Sequence, residues 1–181
     1  NVTFINMDEY LDENNELLKE DNPLSFKGIM YSLCYNKINK DLLMPESQRV
    51  FPTKDNGDLI DKIIKDLGGV DICFGGIGIT GHMAFNEPPS ENEHITYDEF
   101  INSTTRVQKI SEETRVVNSM DEYHGAYYLM PKYCVTIGLK QILNSKKIRL
   151  YCFRDWHKSV IRRASFGECS ISFPASLLQK H

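Results

Sequence analysis

Residues Asp71 to Pro89 read DICFGGIGITGHMAFNEPP. The segment is entered through an apolar run, Val70 to Phe74, which has the length of a buried strand. Four glycines then fall within seven positions, at Gly75, Gly76, Gly78 and Gly81. Glycine accepts positive φ and lets backbone approach a ligand closely, so such a loop can wrap a small molecule. His82 follows, carrying the side chain that titrates nearest neutrality, and the carboxylate of Glu87 lies five residues further on. Open α/β sheets bind ligands outside the carboxyl ends of their strands. A glycine turn holding a titratable pair suits that place. The alternative is a tight turn whose imidazole satisfies a local hydrogen bond.

Outward from this loop the pattern is one of strands alternating with helices. Val2 to Asn6 reads as a strand, and the acidic, polar residues 11 to 21 as a loop. Asn22-Pro23 has the chemistry of a helix start, with Phe26, Ile29, Met30 and Leu33 on one face. Leu59, Ile60, Ile63, Ile64 and Leu67 recur at helical spacing before Gly68-Gly69 stops the helix. Ser90 to Tyr97 is unpatterned and polar, the composition of a surface loop or lid. Thr104 to Ile110 suits a strand, and Ser111 caps a short helix through Arg115, with Glu112 and Glu113 in its first turn. Further strands are expected at Tyr133 to Ile137, Ile148 to Phe153 and Ser170 to Phe173. Helices are expected from Gly138 to Leu143 and from Trp156 to Ser165. This succession predicts one α/β domain over residues 1–181, with a doubly wound, mostly parallel sheet covered by helices on both faces in the Rossmann-like manner.

Bulk properties narrow the partners. The chain has 181 residues, 41% of them hydrophobic, enough for one sizeable core. Its formal charge of −4 and lack of a basic run argue against nucleic acid and anionic membrane. No apolar stretch approaches the roughly 20 residues that span a bilayer, and the first residues lack a signal-peptide layout. Cys34, Cys73, Cys134, Cys152 and Cys169 are odd in number and form no close pair, which suits reduced, buried thiols in a cytoplasmic protein. His94 and His124 sit in polar sequence without a ligand cluster, so no metal is expected.

GGIGITGHMAFNEP (Gly75 to Pro88) closely resembles the GGxGxDGHIAFNEP motif of the glucosamine-6-phosphate deaminases. NMDEY (Asn6 to Tyr10) is similar to that family's other active-site strand end. TRVVNS (Thr114 to Ser119), MPKYCVTIGLKQIL (Met130 to Leu143) and Gly167 through Ser176 continue the resemblance in order along nearly the whole chain. It implies removal of the amino group from an aminosugar phosphate, without metal or organic cofactor. Asp8 would move the proton between C2 and C1, His82 would open the pyranose ring, and Glu87 would support His82. Gly75, Gly76, Gly78, Thr80 and Gly81 would line the substrate. Arg115 matches a phosphate-contacting arginine. The family lysine after the strand at Ile148 to Phe153 falls on His157 or Lys158, and Lys158 is preferred for its fixed charge. Glu9 should face away from Asp8 if the backbone is extended, and Trp156 suits packing better than sugar stacking. All of this requires Asp8 and His82 to converge on one pocket.

Two departures from the family stand out. Its members carry a βα unit, with a Thr/Gly-rich phosphate loop, before the strand corresponding to Val2 to Asn6; the expectation is a fragment lacking that first unit, with little activity of its own, or a natural protein missing that loop. Relatives range from monomers to allosteric hexamers, so a homo-oligomer stays open. Two rivals share the motif's general shape: a 6-phosphogluconolactonase, against which MDEY and AFNEP speak, and a sugar-phosphate sensor without turnover. The second departure is Thr80, where the family has aspartate. A hydroxyl bonds more weakly to an imidazolium than a carboxylate does, so ring opening should be slowed. Thr80→Asp is therefore expected to raise the rate on glucosamine 6-phosphate; an unchanged or lower rate would count against a weakened triad.

Overall fold

The computed structural model describes residues 2–181. Two short parallel pairs and one antiparallel ladder make up its strands. In the first pair β1 (Phe4–Ile5) lies beside β3 (Arg49–Val50), and in the second β4 (Cys73–Gly75) lies beside β7 (Ile148–Leu150). Between them in sequence run β2 (Asp8–Leu11), β5 (Arg106–Lys109) and β6 (Tyr133–Thr136). Here β6 is central, flanked antiparallel by β2 and β5. The parallel pairs carry the expected α/β character. The antiparallel ladder is the addition, and it arises because Asp8 does not end a strand but starts a new one.

Local chemistry explains the helices. Ser25, not Asn22, caps α1 (Phe26–Leu33): its hydroxyl accepts from the Gly28 amide at 3.1 Å. Asn22 instead turns the preceding loop by accepting from the Leu24 amide. The next helix, α2 (Gly57–Asp66), stops where expected, with Gly68 and Gly69 at φ 79° and 102° closing onto the Lys65 and Ile64 carbonyls. The stretch expected to be loop has neither helix nor strand up to Thr96, where a complete capping box between Thr96 and Glu99 starts α3 (Tyr97–Ile101). Ser111 caps α4 (Glu112–Glu122), which runs two turns beyond its expected end at Arg115. The last helices, α5 (Leu139–Leu143) and α6 (His157–Phe166), fall close to their expected positions. The final strand expected at Ser170 to Phe173 is absent. Serine side chains turn that segment, and Pro174–Lys180 winds into a 3-10 helix.

The apolar side chains collect in two cores. One gathers Cys73, Ile77, Met83, Leu139, Val160 and Phe173; the other gathers Tyr10, Leu24, Phe85, Ile110, Met130 and Cys134. The glycine loop is the seam, with Met83 entering the first core and Phe85 the second. All five cysteines are free. No helix among the described residues is long and apolar enough to cross a membrane.

Gly138, between β6 and α5, shows how tightly the seam closes. Its φ of −85° suits any residue, yet an added Cβ would strike the Ser103 carbonyl oxygen. Backbone there cannot swing aside as a side-chain tip can. Gly138→Ala is expected to destabilise the fold by about 2 kcal/mol, read as a lower urea midpoint at unchanged m-value.

Candidate active site

The carboxyl ends of β1 and β4 come together: the Met7 thioether lies 3.4 Å from where a Cβ on Gly75 would stand. Beside this junction opens a cavity of about 340 Å³, walled by Asp8, Gly76, Gly78, His82, Arg154 and His157 among others. Asp8 and His82, 74 positions apart in the chain, thus face one space.

The glycine loop holds His82 by removing everything in its way. The imidazole lies against the Cα of Gly78, where any Cβ would run into the ring. Gly81 takes φ 83° and passes the chain under the Phe173 ring, where a side chain would clash again. Two backbone bonds, Gly78 amide to His82 carbonyl and Gly81 amide to Gly78 carbonyl, both 2.9 Å, close the turn. Downstream the loop is clipped to β6. The Phe85 backbone amide donates to Thr136 Oγ1 at 3.0 Å, and the buried Asn86 side chain donates through Nδ2 to the Ile137 carbonyl, just past β6, at 2.9 Å.

His82 is 8% exposed, and its Nδ1 faces three oxygens: Thr80 Oγ1 at 2.9 Å, Glu87 Oε2 at 3.2 Å and Thr114 Oγ1 at 3.3 Å. Thr80 also donates to Glu87 Oε2 at 2.7 Å. The hydroxyl at position 80 therefore spans imidazole and carboxylate, and Glu87 meets the ring directly as well. Charge on that side of the ring comes from Glu87 alone. Burial pushes the Glu87 carboxyl up, but its bonds to His82, Thr80 and Thr114 outweigh that and hold it at about 2. Nδ1 is saturated on this side, while Nε2 makes no hydrogen bond among the described residues.

Asp8 is shaped by opposite forces. Burial first, and the negative charge of Glu9 second, raise its carboxyl to about 7. An aspartate in that state exchanges a proton near neutral pH, as a general acid–base group must.

Five residues expected to bind substrate lie outside the cavity lining: Gly75, Thr80 and Gly81 within the loop, and Arg115 and Lys158 on helices. Arg115 does not line the cavity: Nε and Nη2 donate to the Pro131 and Met130 carbonyls at 3.1 and 3.0 Å, and Nη1 to the Tyr127 hydroxyl at 2.5 Å. Its guanidinium also lies over the Tyr127 ring, 4.2 Å from the centroid. Lys158 is likewise outside, largely exposed and paired with Asp155 at 2.9 Å. Helical rotation explains both. Successive residues turn by about 100°, so Thr114, Asn118 and Glu122 share the inner face of α4, and Arg115 points away. Thr114 reaches His82, while Asn118 and Glu122 line the cavity. On α6 the inward residue is His157, the alternative alignment. It accepts the Arg154 amide on Nδ1 at 3.0 Å, and its Nε2 bonds the Ile77 carbonyl at 3.1 Å, pinning α6 to the glycine loop. Trp156 stacks on it at 3.8 Å and also lines the cavity. Thr114 and Asn118 lie within the TRVVNS stretch; reading α4 at its full length would have exposed them.

Known proteins can now be compared with this geometry. No family model matches the chain. It is 32% identical over 187 residues to glucosamine-6-phosphate deaminase 2 of Bacillus subtilis, covering 99% of this chain and 68% of that protein. It is 29% identical over 189 residues to the glucosamine-6-phosphate deaminase of Haemophilus influenzae, of which it covers 62%. Among solved structures, a monomeric glucosamine-6-phosphate deaminase superposes with a TM-score of 0.79 at 28% identity, over 100% of this chain and 69% of that one. A 6-phosphogluconolactonase of Trypanosoma brucei, at 15% identity and a TM-score of 0.57, shares the fold alone. With a loop, a histidine and a strand-borne aspartate arranged as described, the chain belongs to the glucosamine-6-phosphate deaminase family.

Proposed function

We propose that this chain carries the active site of an enzyme that converts glucosamine 6-phosphate and water to fructose 6-phosphate and ammonia. The observation that carries the reading is the shared cavity. An imidazole whose Nε2 makes no hydrogen bond among the described residues and a carboxylic acid titrating near neutrality border the same space. His82 Nε2 moves a proton between the ring oxygen and the anomeric oxygen, opening the sugar. Asp8 then takes the C2 proton and returns it at C1, which leaves an iminium at C2 that water hydrolyses to release ammonia. Glu87 and Thr80 fix the imidazole and stabilise it when charged. Gly76 and Gly78 keep the wall free of side chains, while Gly75 packs against Met7 and Leu150 and Gly81 against Phe173, and Arg154 brings a guanidinium to the cavity wall. The phosphate roles expected for Arg115 and Lys158 have no support in their placement.

Incubation with glucosamine 6-phosphate, following ammonia and fructose 6-phosphate together, tests the reading. Both products should form in equal amounts with the wild type and fall by at least about a hundredfold in Asp8→Asn and His82→Gln. A thermal shift with the sugar phosphate but no product would instead identify a sensor.

The Asp8 carboxyl also makes a stability prediction. Its folded value lies above the ordinary 3.8, so the fold holds that proton more tightly than the unfolded chain does. Stability from this group is complete below about pH 4 and is lost as pH rises through 7. Glu87 works in the other direction: its contribution is present above 4.5 and lost as pH falls towards 2. Asp8→Asn is expected to melt higher than wild type at pH 8, with the difference closing towards pH 4 in parallel thermal scans.

A further inference from the structure

Successive residues of β2 point to opposite faces. Asp8 and Tyr10 line the cavity, while Glu9 between them faces away and receives the Phe26 and Lys27 amides at the start of α1. Tyr10 is 3% exposed, its ring stacked on Phe26 and tilted against Phe85. Its hydroxyl is met by α4. Asn118 Nδ2 donates to that oxygen at 3.1 Å, and Glu122, one turn further along the same helix face, lines the cavity as well. Burial above all pushes the Tyr10 phenol up, and the charges of Asp8 and Glu122 push the same way. The hydroxyl therefore stands within electrostatic reach of both carboxylates. Asn118 Oδ1 and the Glu122 carboxylate have no hydrogen-bond or ion-pair partner among the described residues.

Glu122 gains nothing from its helix. It ends α4, where the dipole disfavours negative charge, and no basic residue occupies the last turn. In a cavity that admits a phosphate it is equally adverse, because it repels the ligand. A sugar phosphate that also carries a cation removes the conflict. We propose that Glu122, together with Asn118 Oδ1, receives the C2 ammonium of the substrate and selects amino sugars over their 2-hydroxy counterparts. This rests on the reading of Asp8 as the C2 base. The amine is bonded to the carbon that Asp8 deprotonates, so its acceptors must stand beside Asp8 on the cavity wall. The bond from Asn118 to Tyr10, two residues along the strand from Asp8, brings this face of α4 there. Asp8 itself must stay free for the C2 proton. An ammonium supplies donors for both oxygens and a charge to meet the carboxylate. A hydroxyl at C2 supplies no charge, and the phosphate of such a sugar faces Glu122 uncompensated. Selection thus joins attraction for one ligand to repulsion of the other.

Two open-chain analogues that cannot react, 2-amino-2-deoxyglucitol 6-phosphate and glucitol 6-phosphate, differ only at C2. Calorimetric titration of the chain with each at pH 7 tests the assignment. Wild type should bind the amino compound about tenfold more tightly. Glu122→Gln keeps the shape and loses the charge, and should shrink the preference to about twofold or less. Glu122 is exposed at a helix end, so this variant should melt with wild type. A wild type that binds the two compounds alike, or neither, overturns the proposal. So does a tenfold preference that survives in Glu122→Gln. Ammonia release plays no part in the titration. A preference lost in Glu122→Gln, in a protein that never turns over, would defeat the reaction and leave the amine site standing. Turnover by a wild type without the preference would do the opposite.

Discussion

A carboxylate taken out of water must be met by donors or it will not stay ionised, and the Glu87 carboxylate, 5% exposed, is the one on which this site depends. Oε2 serves His82 and Thr80, while Oε1 accepts the Ser111 amide at 3.3 Å. Ser111 is also the residue that caps α4. One side chain therefore joins the end of the glycine loop to the start of the helix packed beside it. Thr114, a turn further on, arrives at the same imidazole nitrogen because of that junction. The ring is held at one nitrogen by three groups that are themselves held.

The second half of the site is placed by pairing rather than by burial of charge. Asp8 stands opposite Thr136 in the β2–β6 ladder, and Thr136 Oγ1 is the acceptor that clips Phe85 of the glycine loop. A single residue of β6 thus meets both the strand that carries Asp8 and the loop that carries His82. Slipping β2 by one residue would turn Asp8 away and bring Glu9 to the cavity. The two acids on this strand are distinguished by which face they occupy.

Much of this was legible in the residues themselves. The glycine spacing and the apolar run before it located β4 and its loop, and the Gly68-Gly69 stop fell where the helix ends. The antiparallel ladder was not legible, since Asp8 to Leu11 carries no strict alternation and its partner lies more than a hundred residues away. Arg115 and Lys158 lie outside the cavity for a shared reason. Residue type was taken without its helical phase, and one step along a helix swings a side chain by about 100°. Ending α4 at Arg115 hid the i, i+4 relation of Thr114 and Asn118 that lies in the same motif. The serine-rich tail looked strand-like by composition, but side-chain bonds between Ser170, Ser172 and Ser176 made turns the cheaper local solution.

Arg115 retains an interest of its own. With two backbone carbonyls, a phenol oxygen and an aromatic face around its guanidinium, it rivets α4 to the turn at Tyr127–Leu129 and to the carbonyls that follow. Segments tied in this way open as a unit. Amide hydrogens across α4 and residues 127–130 are accordingly expected to exchange with deuterium at a common rate, although the two segments are consecutive rather than paired in any sheet. The residue whose sequence context suggested anion capture would then set how often that corner of the molecule breathes.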